Sequence, residues 1–550
     1  MQKIKDFITD GRNTKYFIFA ALVIVYFWRL GMHPLMTPDE GRYADIPRIM
    51  IEQGDYITPK LNYVLYFEKP VLHYWLTAAS FQVFGQTGFG ARFFPVVLGL
   101  LGVFITWLFA RRFYDEDTAN ISAVALGTSI LYFAISRINI TDMTLSFFMT
   151  LSLFSFYFYF RDNKKIWIYI FYAALALSVL AKGLIGIVLP AGIIFWFMVL
   201  TRRWDIIKKL LNLPAILLFF VICVPWFYVV SMRNPDFFYF FFVQEHFLRY
   251  ATKMHGRYEA WWFFIPVAIC GFFPWIAQFL AALKDMLTRR EEILYLTIWA
   301  VVVLVFFSIS SSKLIPYIIP FFPPLAIVTG RNIKERLSSG KGFIFFNTFN
   351  TFIAVALVVA AFLIFGKVIP IKKLDDVMLY KPLIIRLIVL TFAFAAMGWM
   401  LIKNKRRWLI SHGVYAFLLL ALASPGFMII GSERSTKPTI DKMMKYVNPQ
   451  DIIVVYRTYD QDIAHYFNRR IVITRWENEL WFGNSRDLDS GFFYKEEDEP
   501  KLLDRELAPD QKMYFMVWHN RRPVFEEIFG QHTRYIEAGK EKGYHIYVRK

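Results

Sequence analysis

Apolar blocks of about twenty residues recur along most of this chain, and they leave it few architectures. Inside a bilayer every backbone N–H and C=O must find its partner within the protein, so a segment of about that length crosses as an α-helix. The blocks run at about 15–31, 88–111, 117–136, 142–160, 165–182, 184–200, 211–231, 261–283, 291–309, 315–330, 343–366, 381–402 and 408–430. One further stretch, Val71 to Phe84, is ambiguous. It lies between Lys69-Pro70 and Gly85 and carries His73, Ser80 and Gln82. At about 1.5 Å per residue it falls short of a hydrocarbon core and is expected as an interfacial helix. The first block follows Lys3, Lys5, Arg12 and Lys15 and ends on Trp28-Arg29-Leu30. No small-residue cleavage site follows, so it is expected as an uncleaved transmembrane helix.

Charge placement tests the count of about thirteen. With Val71–Phe84 left out, one side of the membrane receives Arg111-Arg112, Arg161 to Lys165, Arg202 to Lys209, Lys284 to Arg290, Arg331 to Lys341 and Lys403 to Arg407. Every one of these loops is basic, as cytoplasmic loops are. The opposite short loops carry single cations (Arg137, Lys182, Lys313), except the one holding Lys367, Lys372, Lys373 and Lys381. Counting Val71–Phe84 as a span would invert every later loop. The formal charge of +19 therefore belongs to helix orientation and anionic lipid, and no nucleic-acid partner is expected. Cys223 and Cys270 both sit in apolar blocks and define neither a disulfide framework nor a thiolate metal site.

The same parity puts residues 32–87, 232–260 and everything after about 431 on the non-cytoplasmic side. The expected domains are an all-α polytopic membrane domain, 1–431, with two outer loops, and a soluble α/β domain, 432–550. In the latter, Asp451–Tyr456, Ile471–Thr474, Met513–Val517 and Tyr544–Val548 read as strands. Helices are expected around Gln461–Arg469 and Arg522–Phe529. No nucleotide-binding glycine pattern is present.

Ionisable residues beside a membrane are functional candidates by default. The first outer loop is the richest, with Thr37-Pro38-Asp39-Glu40-Gly41-Arg42-Tyr43, then Asp45, Arg48 and Tyr66-Phe67-Glu68-Lys69-Pro70. Thr37 or Asp39 capping a helix would account for part of this. It would not explain the added Arg42, Arg48, Glu68 and Lys69. Asp142 stands at the outer mouth of a span, where a capping role is equally available. His246 and Arg249, three apart, share a helix face, and Lys313 and Tyr317 mark another outer mouth, where Lys313 can simply snorkel. Together these four places supply Lys, Arg, His, Tyr and carboxylates to one membrane face. That set suits an anionic lipid headgroup: cations for phosphate, carboxylates for acid–base work or a metal.

The stretches Thr37 to Arg48 (TPDEGRYADIPR), Tyr66 to Pro70 (YFEKP), Arg137 to Thr144 (RINITDMT) and Ala181-Lys182-Gly183 carry a resemblance. They look like the aminoarabinose transferases that modify lipid A. These belong to a superfamily of GT-C-type membrane glycosyltransferases using polyprenyl-phosphate sugars, which includes the protein O-mannosyltransferases. The resemblance implies a sugar carried on undecaprenyl phosphate, an outer-face acceptor such as lipid A, a bacterial inner membrane, and a periplasmic catalytic face and tail. It also implies that the lipid phosphate leaves, with charge growing on it in the transition state. Lys69 is the first candidate to hold that phosphate, with Arg42, Arg249 and Lys313 in support. Asp39 is the expected catalytic carboxylate, with Asp142 sharing its task. Glu40, Tyr43, Tyr66, Glu68, His246 and Tyr317 would line the pocket. No cofactor is certain; a divalent metal on Glu68 and His246 is a weak signal. The alternatives are transfer to a protein or surface glycan, a non-enzymatic scaffold whose tail binds partners, and a transporter. The spans hold charge only near their ends (Arg92, Arg386), which argues against ion coupling.

Overall fold

The computed structural model describes residues 13–248, 259–288, 290–367, 377–475, 478–538 and 543–550, without the side chains of 245–248 and 537–538. Arg249, Lys372, Lys373 and the basic residues before 13 lie outside the described residues, and so does the side chain of His246.

Every apolar block coincides with helix. Among the described residues eight helices are long and apolar enough to cross a membrane: Gly88–Phe113, Thr141–Asp162, Lys165–Lys182, Leu213–Arg233, Glu291–Ile309, Phe343–Phe365, Lys381–Met400 and Lys405–Glu433. Two bent pairs raise the number to ten, Glu116–Gly127 with Ile130–Ser136 (64°) and Phe264–Gly271 with Ile276–Leu287 (118°). The other three expected spans fall short for visible reasons. Thr14–Phe27 has 14 residues and Ile185–Thr201 has 17. Phe322–Ser339, preceded by a 3-10 turn at Ile315–Phe321, carries Arg331, Lys334, Glu335 and Arg336 in its second half. The chain is a multi-pass membrane protein.

Two compact units are present, Met1–Leu30 with Arg92–Tyr228 and Phe238–Ile429, and Gly31–Ala91 with Val229–Phe237 and Ile430–Lys550. The first is all helix. Its most enclosed span is Thr141–Asp162, 89% buried over its apolar window, whereas the window of Phe343–Phe365 is 11% buried. Lipid is as apolar as Phe, so Phe352 and Phe362 stay outside without cost. Two arginines are wholly buried here, Arg92 and Arg137. The last turn of a helix leaves carbonyls without partners, and these side chains supply donors where the Thr14–Phe27 helix ends. Arg137 donates to Val25 O (3.1 Å), Trp28 O (2.7 Å) and Ser424 Oγ (3.2 Å), and Arg92 to Leu30 O (3.2 Å).

The second unit is built around a six-stranded sheet. A separate two-stranded hairpin, β1 (Lys60–Leu61) and β2 (Val64–Leu65), belongs to the first outer segment. The main sheet uses β3 (Ile452–Tyr456), β4 (Val472–Thr474), β5 (Phe493–Tyr494), β6 (Met513–Trp518), β7 (Thr533–Ala538) and β8 (Tyr544–Arg549). Their order is β5-β4-β3-β6-β8-β7, parallel from β5 to β6 and antiparallel from β6 to β7. Strands buried on both faces read as unbroken apolar runs, which is why β3 and β6 are legible as IIVVY and MYFMVW. Phe525 and Phe529 of the Arg522–Phe529 helix pack on Val454, Tyr456, Phe515 and Val517. The four expected strands and both expected helices are present. β5 and β7 were not expected, because β5 has two residues and β7 (TRYIEA) is a charged edge strand.

Residues 32–87 are not a plain loop. They hold the Asp39–Gln53 helix, ten of whose residues are buried, and the Leu72–Phe84 helix, whose 13 residues match the expected short, non-spanning element. The first turn of Asp39–Gln53 presses on the tail: a Cβ on Gly41 would stand 2.4 Å from Asp462 N and 2.7 Å from Asp462 Cα. Backbone cannot yield as a side-chain tip does. Gly41→Ala is therefore expected to cost about 1–3 kcal/mol, read as a lower thermal midpoint in detergent. Gly413→Ala, whose Cβ would meet only Val124 at 4.0 Å, should leave it unchanged or higher.

Candidate functional site

Asp39, Arg42, Asp45 and Arg48 recur every three residues along one helix, so each neighbours the next on the helix surface. The helix starts at Asp39 with two carboxylates in its first turn, which suits the positive end of its dipole, and stops on Gly54 at φ 64°. Capping is done differently from the expectation. Neither Thr37 nor Asp39 caps, since the N-cap is Pro38. Glu40, fully buried, accepts from Met36 N–H at 3.0 Å. Thr37 Oγ1 lies 3.2 Å from Asp460 Oδ1 and 3.0 Å from Gln461 Oε1.

The lower pair is scaffold. Arg48, wholly buried, donates to Asp45 Oδ1 (2.9 and 2.7 Å), Glu52 Oε2 (2.8 Å), Tyr63 Oη (3.1 Å) and Asn468 Oδ1 (3.3 Å). Asp45 Oδ2 accepts from Asn62 N–H (3.0 Å), and Asn62 makes two hydrogen bonds of 3.0 Å to the backbone of Ile471.

The upper pair divides between burial and exposure. Arg42 is ion-paired to Glu479 of the tail and donates to Asp39 Oδ1 at 3.2 Å. Glu479 also pairs with the Gln461 side-chain amide. Side-chain exposure separates the roles: 12% for Arg42 and 10% for Glu479, against 52% for Asp39. Asp39 is thus the accessible end of a buried ionic chain. The Arg42 guanidinium lies 5.8 Å from the Tyr43 ring and 5.9 Å from Tyr66. The buried hydroxyls of Tyr66 and Tyr74 have no hydrogen-bond partner among the described residues. Such groups rarely stay unpaired in a finished site. Burial raises the pKa of both phenols and of Glu479, where Arg42 pulls the other way. Lys69, half-buried, donates to Glu68 O at 2.8 Å.

A second polar cluster forms within the first unit. Lys165–Lys182 runs back beside Thr141–Asp162, bringing the last turn of one helix to the first turn of the other. Lys182 Nζ there donates to Asp142 Oδ1 at 2.6 Å and stands 4.4 Å from the Tyr317 ring centroid. Each charge suits its helix end. Asp142 is the second helical residue and caps nothing. Lys313 is 6% exposed and donates to Ser310 O (2.6 Å) and Glu259 O (3.1 Å), so it is held rather than snorkelling into the interface.

Asp39, Glu40, Arg42, Tyr43, Tyr66, Glu68 and Lys69 thus belong to one unit, and Asp142, Lys313 and Tyr317 to the other. His246 lies on the π-helical stretch Tyr239–Leu248. Among the described residues no group of three or more His, Cys, Asp or Glu could hold a metal. Sequence reasoning quoted Lys182 without placing it in the site and did not see Glu479 or Gln461. The pairing of Asp39 with Arg42 and Asp45 with Arg48 was readable from their i,i+3 spacing. Nothing local marks Glu479.

Among solved structures, ArnT from Cupriavidus metallidurans bound to undecaprenyl phosphate matches with a TM-score of 0.85, covering 98% of both chains at 25% identity. Its apo state matches at 0.84 and 26% identity. The fold is that of a GT-C-type membrane protein with a sheet-containing C-terminal domain. Curated relatives are undecaprenyl phosphate-alpha-4-amino-4-deoxy-L-arabinose arabinosyl transferases. That of Aeromonas hydrophila is 30% identical over 336 residues, 60% of this chain and 61% of the relative. That of Pseudomonas aeruginosa (strain UCBPP-PA14) is 32% identical over 340 residues, again 60% and 61%. The chain spans about three fifths of the length of these relatives. The family described as dolichyl-phosphate-mannose-protein mannosyltransferase matches residues 68–229. Over about three fifths of its length the chain is thus similar to aminoarabinose transferases.

Two outcomes are expected of the buried carboxylates of this unit. Asp45→Ala takes one of two carboxylates from a wholly buried guanidinium and leaves Asn62 N–H without its acceptor, which should cost about 1.5–3 kcal/mol, whereas Asp39→Ala at an exposed carboxylate should leave unfolding in detergent nearly unchanged. The second concerns Asp462, which accepts from Ser435 Oγ, Thr436 N–H and Thr436 Oγ1 (each 2.8 Å). Burial, then the neighbouring Asp460 charge, pushes its pKa up to about 7 from 3.8. The folded chain then holds a proton that the unfolded chain has released, so stability falls as pH rises from about 4 to about 7. Thermal midpoints over that window should show the decline, and Asp462→Asn should flatten it.

Proposed function

We propose that this chain is an integral-membrane glycosyltransferase that moves 4-amino-4-deoxy-L-arabinose from undecaprenyl phosphate to a phosphate of lipid A. The observation that carries the reading is the fold agreement over 98% of both chains with a protein whose structure holds undecaprenyl phosphate. Basic loops on one side of the spans support an inner-membrane orientation with the first outer segment and tail in the periplasm.

In this reaction the bond from the sugar's anomeric carbon to the donor phosphate breaks, a bond to an acceptor oxygen forms, and undecaprenyl phosphate leaves with the negative charge. Cations aimed at that phosphate lower the barrier most. Lys69 is assigned this role in the second unit, with Arg42 in support, and Lys313 is the candidate cation of the first unit. Arg42 is already paired with two carboxylates, so it holds Asp39 in place as much as it attracts phosphate. An acceptor phosphate is anionic at neutral pH, its second pKa being about 6, and needs no base. Asp39 then binds the sugar's amino group or orients the acceptor. Asp142 is charge-paired with Lys182 and is assigned to substrate orientation. Tyr43, Tyr66 and Glu68 are assigned to substrate contact in the second unit, and Tyr317 in the first. The match to protein mannosyltransferases over residues 68–229 favours a protein acceptor as the second reading.

The test is mass spectrometry of lipid A from cells lacking the protein and re-supplied with the wild type or Asp39→Ala. The expected result is one added aminopentose that requires both the protein and Asp39. Unmodified lipid A in the presence of wild-type protein would refute this acceptor. A sugar on secreted proteins would then establish the second reading.

A further inference from the structure

The parallel half of the tail sheet carries a feature that the transferase reading does not use. From β3 the chain moves to β4 and β5 on one side, then returns to β6 on the other side of β3. Loops leaving the C-terminal ends of β3 and β6 therefore diverge. In open α/β sheets this reversal opens a crevice where ligands bind. Here each of the four parallel strands runs into a cation. Arg457 directly follows β3, Arg475 follows β4, Lys495 follows β5, and Arg521 comes three residues after β6. All four line a single cavity of about 620 Å³, a size that suits a small polar ligand.

The four cations are held differently. Arg457 and Arg475 adopt left-handed backbone (φ 50° and 52°), uncommon for such side chains. Arg457 N–H donates to Thr474 Oγ1 at 3.0 Å, tying the ends of β3 and β4 together. The Arg457 side chain is committed to Glu499, buried beneath it, with Nε at 2.9 and 3.0 Å from the carboxylate oxygens. It is scaffold. Arg475 pairs with Glu496, but both are about half exposed (48% and 56%), and such pairs exchange readily. Among the described residues, Lys495 and Arg521 have no ion-pair partner. Glu497 also lines the cavity, leaving the mouth net positive. Arg521 is in addition the N-cap of the Arg522–Phe529 helix, whose first turn receives no side-chain cap.

The geometry points to an anion site in the tail that takes a phosphomonoester or diphosphate group through Arg475, Lys495 and Arg521, with Arg457 as its positioning residue. Cations arriving from three separate strand ends match a compact, multivalent anion, whereas one carboxylate satisfies one guanidinium. No residue of the Asp39–Arg42 chain takes part, so the site stands or falls independently of the transfer reaction.

The experiment uses the full chain, purified in neutral detergent or in nanodiscs of zwitterionic lipid at low salt. Inorganic pyrophosphate is titrated by calorimetry, and nanodiscs doped with phosphatidic acid supply the same chemistry as a lipid headgroup. Wild-type protein should bind at least one of these probes, and which one tells a free phosphate from a lipid phosphate. The combined change Arg475→Gln, Lys495→Gln, Arg521→Gln should weaken that binding about tenfold or more, since each lost contact is a charge-assisted hydrogen bond. Glu497→Gln, which removes a competing charge from an exposed position, should tighten it and guards against a misfolded triple variant. Arg534→Gln, on edge strand β7 and outside the cavity, should leave it unaltered. Failure of both probes to bind, or affinity that survives the triple change, overturns the site.

Discussion

A buried charge is tolerated only where its partners are fixed, and much of the second unit is arranged to fix the partners of Arg48. The guanidinium is wholly enclosed, so its five donors need acceptors, and it finds them on its own helix, on Tyr63 and on Asn468. Asp45 shares its carboxylate between Arg48 and the Asn62 backbone, and Asn62 clasps Ile471 beside β4. That chain of contacts sets the height and rotation of the Asp39–Gln53 helix on the sheet. Gly41 lets the first turn close on Asp462. With the helix so placed, Arg42 meets Glu479, and Asp39 is left as the accessible end.

The membrane unit answers a similar demand by other means. Where the first helix ends early, Arg92 and Arg137 supply the donors its carbonyls need in place of water. Where two helix ends of opposite polarity meet, Lys182 and Asp142 cancel each other.

Much of this was legible in the sequence, and the gaps have physical reasons. All thirteen apolar blocks are helical, because a bilayer imposes length and apolarity on each span separately. Whether 14 residues at Thr14–Phe27 suffice to cross depends on tilt and local thickness, which no residue records. β3, β4, β6 and β8 announce themselves as apolar runs, while β5 has two residues and β7 looks like a solvated edge. Asp39, Arg42 and Lys69 stood out because charges beside a membrane are scarce. The i,i+3 rhythm through Asp45 and Arg48 was equally visible, and it marks structure rather than chemistry. Glu479 lay hidden in a charged tail because its significance comes from a contact made across the length of the chain.

That length has a consequence for how the protein is made. The Asn62–Ile471 clasp joins residues 409 apart in sequence, so the first outer segment emerges long before its counterpart exists. At about 5–20 residues per second, synthesis of the intervening chain takes roughly 20–80 s. During that interval the carboxylates, arginines and buried flank of the Asp39–Gln53 segment have no counterpart to close on. The second unit closes only when the last part of the chain is delivered. Its assembly is a late event in biogenesis, and the segment has to be kept from aggregation or proteolysis until then.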